Sequence, residues 1–233
     1  MKNLVVLSGA GISKESGIPT FRDNDGLWKK FSFQELATLD AWIHNQDIML
    51  EFYNIRRKEV MESEPNKAHL TLKELEKDFN VQIITQNVDD LHERAGSTNV
   101  LHLHGEIRKA RSSVDESIII DIEGSELNPG DLCPLGSQLR PHIVWFGEAV
   151  PMMTEAIKIV ETADIFLVIG TGLQVYPAAS LVHYLPSKAA RYIIDPGSHF
   201  QDIRGFKHIQ KTAVQGITDF VNEDIIAIVR YNC

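Results

Sequence analysis

Two histidines, His102 and His104, stand two positions apart and immediately before Gly105. At strand spacing they share a face, and imidazole titrates close enough to neutral pH to take or give a proton. A metal pair is the other chemistry open to them, but no nearby Cys or acidic cluster completes a ligand set. His104, beside a glycine at a strand end, is the better candidate for a general base. Tyr53 and Arg56 lie three apart in a helical pattern and so share a face. A phenol beside a guanidinium can grip a carboxylate, the guanidinium in bidentate fashion. The plainer reading is a solvated charge run, Arg56-Arg57-Lys58. Gln86, Asn87 and Asp89 follow an apolar strand; amides that both donate and accept suit ribose hydroxyls and a carboxamide. The same residues could instead form a turn and helix cap.

A Gly-x-Gly turn, Gly9-Ala10-Gly11, follows the apolar run Leu4-Val5-Val6-Leu7. Such a turn suits a diphosphate when it opens a helix. The general dinucleotide fingerprint asks for a third glycine where Lys14 stands, so that motif by itself fails.

These groups need elements to hold them. Hydrophobic patterning predicts strands at 4–7, 81–84, 100–102, 165–169 and 192–194, with a helix beginning near Ser13. It predicts further helices over 46–61, 67–77, 155–161, from near Pro177, and over 217–230. Ile48, Met49, Phe52 and Ile55 are read as the apolar stripe of the first of these. Ile143–Phe146 reads as an extended edge, and residues 108–140 as an excursion with a short strand at Ile118–Ile120. Strand and helix alternate, so the fold class is α/β with a parallel sheet. Polar or glycine-rich residues end at least four strands, and ligands of such sheets bind at the carboxyl ends.

The 233-residue chain is 43% apolar, enough for one large domain with a small lobe. Its 23 basic and 32 acidic side chains leave a net charge of −9, which argues against general nucleic-acid binding. No apolar run approaches a membrane span and no leader pattern is visible, so a cytoplasmic monomer away from membranes is expected. The two cysteines, Cys133 and Cys233, support neither a disulfide framework nor a four-thiolate zinc site.

Taken together, Gly9-Ala10-Gly11-Ile12-Ser13, Gly17-Ile18-Pro19-Thr20-Phe21-Arg22, Thr85-Gln86-Asn87-Val88-Asp89, His102-Leu103-His104-Gly105, Val144-Trp145-Phe146-Gly147-Glu148 and Gly170-Thr171-Gly172 resemble the sirtuins in order and spacing. The resemblance spans nearly the whole chain. It implies a Rossmann-like NAD-binding domain (1–24, 67–106 and 145–233) and a small lobe made by two insertions (25–66 and 107–144). It implies NAD as co-substrate and acylated protein lysines as partners, with nicotinamide and 2′-O-acyl-ADP-ribose as products. Gly9, Ala10, Gly11, Gly170 and Thr171 would cradle the diphosphate. Phe21 and Arg22 would cover the reactive ribose, and Gln86 and Asn87 would hold it. Asp89 would bind the carboxamide, and His104, with Asn87, would serve catalysis. Ser13, Thr20, Trp28, Gly172, Asp195 and Ala213 complete the implied cofactor shell. Val144, Trp145, Phe146 and Gly147 would pair with the substrate backbone as an added strand.

Tyr53, Arg56 and Ala37 resemble the class III members, which prefer malonyl-, succinyl- or glutaryl-lysine. A small Ala37 would widen the acyl pocket, and acetyl would be the weaker substrate. Thr20 also fits that subclass. Three departures stand out. Cys133 alone remains of the usual zinc cysteines, with Ser112 and Ser113 where another is expected; no zinc is expected, and packing around Ile118–Ile120 would hold the lobe. Gly172 replaces a usual Ser, and Asp195 a usual Asn. The competing functions are mono-ADP-ribosyl transfer or NAD cleavage, which need no carboxylate clamp, and a non-catalytic NAD module, which needs no His104.

Overall fold

Leu4, Val5, Val6 and Leu7 form the middle of strand β1 (Lys2–Ser8), and all four are fully buried. A run with no polar alternation needs partners on both edges and cover on both faces, and β1 has them. It pairs in parallel with β2 (Phe79–Thr85) on one side and β7 (Ile165–Ile169) on the other. β3 (Val100–His102), β8 (Ala190–Ile194) and β9 (Lys207–Ile209) extend this to a parallel six-stranded sheet of order β3-β2-β1-β7-β8-β9. The computed structural model describes residues 1–20, 36–200 and 205–226.

Leu4 and Val6 pack on one face against Ala68 and Leu72 of α3 (Lys67–Glu74) and Ile217 of α6 (Ala213–Asp219). Val5 and Leu7 pack on the other against Ala156 and Val160 of α5 (Met153–Val160). The chain runs β1, β2, β3 in one direction and then returns to the far side of β1 with β7. The order therefore reverses between β1 and β7, and a crevice opens at the carboxyl ends of those two strands.

The small lobe is built from α1 (Leu39–His44), α2 (Gln46–Glu62) and an antiparallel sheet of order β5-β4-β6. Its strands are β4 (Gly105–Ser112), β5 (Ile119–Asp121) and β6 (Leu139–Ile143). Its core joins Leu50 and Phe52 of α2 to Ile107, Ala110, Ile122, Leu127 and Leu139. Packing does not centre on Ile118–Ile120 as expected: Ile119 and Ile120 are exposed and only Ile118 touches the core. Around Ser112 and Cys133, where the resemblance would place zinc cysteines, Ser137 Oγ lies 3.1 Å from both Ser112 Oγ and the buried Cys133 Sγ.

Several boundaries move. No helix follows β1; two 3-10 turns, Ala10–Ile12 and Lys14–Ser16, take its place. Gly17 ends them at φ +93°, and Pro19 follows, so the stretch is too short and too rich in helix breakers to propagate. The helix over 67–77 tightens to a 3-10 turn at Leu75–Lys77, and the segment after Pro177 is a 3-10 helix, Ala178–Tyr184. The closing helix starts early, at Ala213, and widens into a π turn at Phe220–Ile225; residues 227–230 of that expectation lie outside the described residues. Ile48 and Ile55 are exposed, and the buried residues of α2 are Met49, Leu50, Phe52, Tyr53, Arg57 and Val60. That one-position rotation turns Tyr53 inward. Among the described residues no helix is long and apolar enough to cross a membrane.

Candidate active site

A cleft of about 870 Å³ opens at the carboxyl ends of β1, β2, β7 and β8 and runs under the small lobe. It gathers Gly9, Ala10, Gly11, Ser13, Thr20, Gln86, Asn87, Asp89, Gly170, Thr171, Gly172, Asp195 and Ala213 from the sheet side. It gathers Ala37, Tyr53, Arg56, Val144, Trp145, Phe146 and Gly147 from the lobe side, and His104, between β3 and β4, lines it where the two sides meet. Phe21, Arg22 and Trp28 lie outside the described residues.

The glycines have a different first task from the one their motif suggests. Gly9 N–H donates to Ile169 O (3.1 Å) and Gly11 N–H to Gly170 O (2.8 Å), so the turns after β1 and β7 clasp each other. A Cβ on Gly9 would come within 2.6 Å of Thr171 Cβ, and one on Gly11 within 2.8 Å of Gly170 Cα. Gly170 sits at φ +66°, and a Cβ there would lie 2.2 Å from Ile12 N. The result is a side-chain-free backbone shelf on the cleft floor, where a ligand can approach the main chain closely.

Behind the shelf, polar side chains are buried and mutually satisfied. Asn87 Nδ2–H donates to Ser13 Oγ (3.1 Å), and the Ser13 hydroxyl donates to Asp89 Oδ2 (3.0 Å). Leu91 N–H donates to Asp89 Oδ1 (3.2 Å). Burial raises the Asp89 carboxyl above its usual range, and these donors offset part of that. Gln86 Nε2–H reaches Thr171 Oγ1 (3.0 Å) across the β2–β7 gap. One oxygen of Asp195 accepts from Gly197 N–H (2.8 Å), which leaves the other for hydroxyl donors in the cleft.

The two histidines separate cleanly. His102 places Nδ1 2.9 Å from Asn87 O and Nε2 2.8 Å from Glu93 Oε1, so both ring nitrogens meet acceptors. Burial pulls its pKa down, but the Glu93 and Asn87 contacts outweigh that and leave it raised. His102 is a bracket for the Asn87 backbone. His104 uses Nδ1–H on Gln86 O (3.0 Å), which leaves Nε2 as an unprotonated nitrogen on a ring that lines the cleft. Burial holds its pKa below the ordinary value, only partly opposed by that hydrogen bond, so the ring is neutral at pH 7 and can accept a proton.

On the lobe side the supposed solvated run is not one. Arg57 is fully buried and donates to Ile107 O (2.7 Å), Asn54 Oδ1 (2.7 Å) and Ser125 O (2.9 Å), tying α2 to the lobe sheet. Arg56, one residue earlier, lines the cleft while Nη1 holds Glu59 Oε2 at 3.0 Å. A guanidinium has five N–H groups, so others stay available. Tyr53 Oη accepts from Trp145 Nε1–H at 2.8 Å.

The edge expected at Ile143–Phe146 is displaced. β6 stops at Ile143, and Phe146 forms an isolated parallel bridge to Thr38, its N–H donating to Ala37 O (2.9 Å). Glu148 causes this by accepting Trp145 N–H (2.8 Å), while Gly147 turns the chain at φ +91°. Glu148 also binds Arg140 (2.7 and 3.0 Å) and Arg111 (3.2 Å). Sequence reasoning missed these two arginines. Glu148 was in view beside Gly147, but nothing in spacing links it to Arg111, 37 residues away.

A parallel sheet with reversed strand order, a glycine shelf at the reversal and a neutral histidine over the cleft define a nucleotide-using α/β enzyme. Comparison with known proteins narrows the class. The profile of the Sir2 family matches residues 9–177, and the chain belongs to that family. It is 52% identical over 222 residues to an NAD-dependent protein deacylase of Helicobacter pylori, covering 95% of this chain and 96% of that one. It is 55% identical over 204 residues to one of Aggregatibacter actinomycetemcomitans, covering 87% and 98%. Among solved structures, a Sir2 homologue in complex with NAD aligns with a TM-score of 0.88 at 39% identity, over 97% of this chain and 91% of that one. A Sir2 mutant with a deacetylated p53 peptide and 3′-O-acetyl-ADP-ribose aligns at 0.81 and 31%, over 95% and 93%.

Proposed function

We propose that this chain, an NAD-dependent protein deacylase, removes succinyl and malonyl groups from protein lysines in preference to acetyl. The single observation that carries the preference is the meeting of Tyr53 and Arg56 in the cleft that His104 lines. A cleft walled by Phe52, Val60, Ile107 and Trp145 would strip water from an acyl carboxylate, at a cost that only fixed donors can offset. Ala37, the smallest side chain in that wall, leaves room for the longer acyl chain.

The donor set fits NAD. The glycine shelf would seat the diphosphate, Asp195 the adenosine ribose, Gln86 and Asn87 the other ribose, and Asp89 with Ser13 the carboxamide. Thr20, Thr171, Gly172 and Ala213 would close the shell. Bound there, NAD supplies an electrophilic ribose carbon and a hydroxyl to receive the acyl group. His104 takes the proton at Nε2, and Gln86 O keeps the ring in the tautomer that allows it. Val144–Gly147 would line up the peptide backbone. On this reading the chain works as a cytoplasmic monomer and yields nicotinamide, free lysine and 2′-O-acyl-ADP-ribose.

The test is one peptide carrying acetyl-, malonyl- or succinyl-lysine, incubated with NAD and read by mass. Succinyl and malonyl should turn over faster than acetyl; far faster acetyl turnover overturns the preference. Arg56→Met should cut succinyl kcat/KM by roughly 10- to 100-fold, the worth of one charge-assisted contact, and an equal loss on acetyl-lysine removes the clamp. ADP-ribosyl transfer has no use for the clamp, which is why it is the weaker alternative.

A further inference from the structure

We propose that Trp145 is a specificity-determining positioning residue, whose indole N–H forces Tyr53 to present its own hydroxyl proton to the carboxylate of the acyl group. The inference rests on the reading of Tyr53 and Arg56 as an acyl clamp and adds what makes the phenol a donor.

The direction of one hydrogen bond carries it. Trp145 Nε1 and Tyr53 Oη are 2.8 Å apart. An indole nitrogen can only donate, so the phenol oxygen must accept. Among the described residues no other hydrogen bond involves the Tyr53 hydroxyl, so its proton is left for whatever enters the cleft that both residues line. Burial also pushes the phenol well above its ordinary pKa, so that proton stays in place.

The indole cannot easily give up this role. It is 2% exposed, and its backbone N–H is held by Glu148 Oε2 at 2.8 Å. The Arg140 guanidinium lies 3.5 Å from the ring centroid and is itself fixed by Glu148 and by Ile143 O (3.0 Å). A cation on the ring face withdraws electron density and makes the indole N–H a better donor. A ladder therefore runs Glu148, Arg140, Trp145, Tyr53. It delivers a proton donor beside the Arg56 cation, which acts on Tyr53 through space. An acetyl methyl gains nothing from that proton, whereas a carboxylate does.

The experiment measures kcat/KM for succinyl- and acetyl-lysine forms of one peptide on the full chain with NAD. Trp145→Phe keeps the bulk and removes the N–H. The succinyl-to-acetyl ratio should fall about threefold to tenfold, the range of one neutral hydrogen bond, mainly through KM for the succinyl peptide. Tyr53→Phe removes the phenol–carboxylate contact itself and should lower the ratio at least as much, and the double variant should fall no further than Tyr53→Phe, since the Trp145 donor without its acceptor is idle. Should Trp145→Phe not fold, 3-benzothienylalanine at that position keeps the ring shape with sulfur in place of N–H and reads the same ratio. An unchanged ratio, an equal loss on both peptides, or a multiplicative double variant overturns the role of Trp145. If Arg56→Met collapses the ratio and Trp145→Phe does not, the clamp stands and this inference falls. If Arg56→Met leaves the ratio unchanged, the clamp itself is wrong and the inference falls with it.

Discussion

The two walls of the cleft are made of different material. The sheet wall is largely backbone: turns after β1 and β7 clasped by Gly9, Gly11 and Gly170, with short polar side chains behind them. The lobe wall is long side chains: Tyr53 and Trp145, joined across 92 residues, and Arg56, held by Glu59 one turn along the same helix. Backbone carries the same groups whatever the residue, so the sheet wall suits a ligand common to every turnover. Side chains differ in charge and reach, so the lobe wall suits the part of the substrate that varies. His104 stands where the two meet.

The largest effect should come from that junction. His104→Ala removes the general base, and kcat should fall about 10²- to 10⁴-fold on acetyl- and succinyl-lysine alike. A loss confined to succinyl-lysine would move His104 to the lobe wall and break the comparison. The sheet wall is probed by Gly170→Ala. The added Cβ would lie 2.2 Å from Ile12 N at a positive φ, so the two turns must part. Thermal or denaturant melts should show a loss of about 1–3 kcal/mol, and NAD binding should weaken with no change in the succinyl-to-acetyl ratio. A changed ratio would mean that the shelf also reads the acyl chain. The smallest effect sharpens the boundary by pH. Burial lowers the His104 pKa, and a base works only above its pKa. The acid limb of kcat/KM should therefore fall below the ordinary 6.5 and be the same for both acyl groups. A limb above 6.5, or one that differs between acyl groups, contradicts the assignment.

How far each wall was legible before the fold was known follows from the same difference. The Gly9–Gly11 turn, the Gln86–Asp89 loop and Gly170–Gly172 are contiguous words that end apolar runs, and such words survive reading in one dimension. Their meaning still shifted: Gly9 and Gly11 spend their amides on β7 before any ligand arrives. Arg56 and Arg57 show the opposite limit. Adjacent and chemically alike, they point to different places, one into the cleft and one into the lobe core at 0% exposure. Periodicity misplaced the buried stripe of α2 by one position, since Ile48 and Ile55 look more apolar than Tyr53. The contacts of Ser137 with Ser112 and Cys133 had no pattern to announce them.

By itself the sequence determined the parallel α/β class and the strand ends that carry polar residues, and it singled out His104 as the candidate base. Those follow from local rules: apolar runs pair, glycines turn, and polar residues at strand ends face a crevice. Only the tertiary structure decided that His102 braces while His104 stays free, because the acceptors Asn87 O, Glu93 and Gln86 O reach the rings through space. Only it decided that Trp145, 92 residues from Tyr53, donates to the phenol, because a hydrogen bond across that separation exists only once both walls are folded.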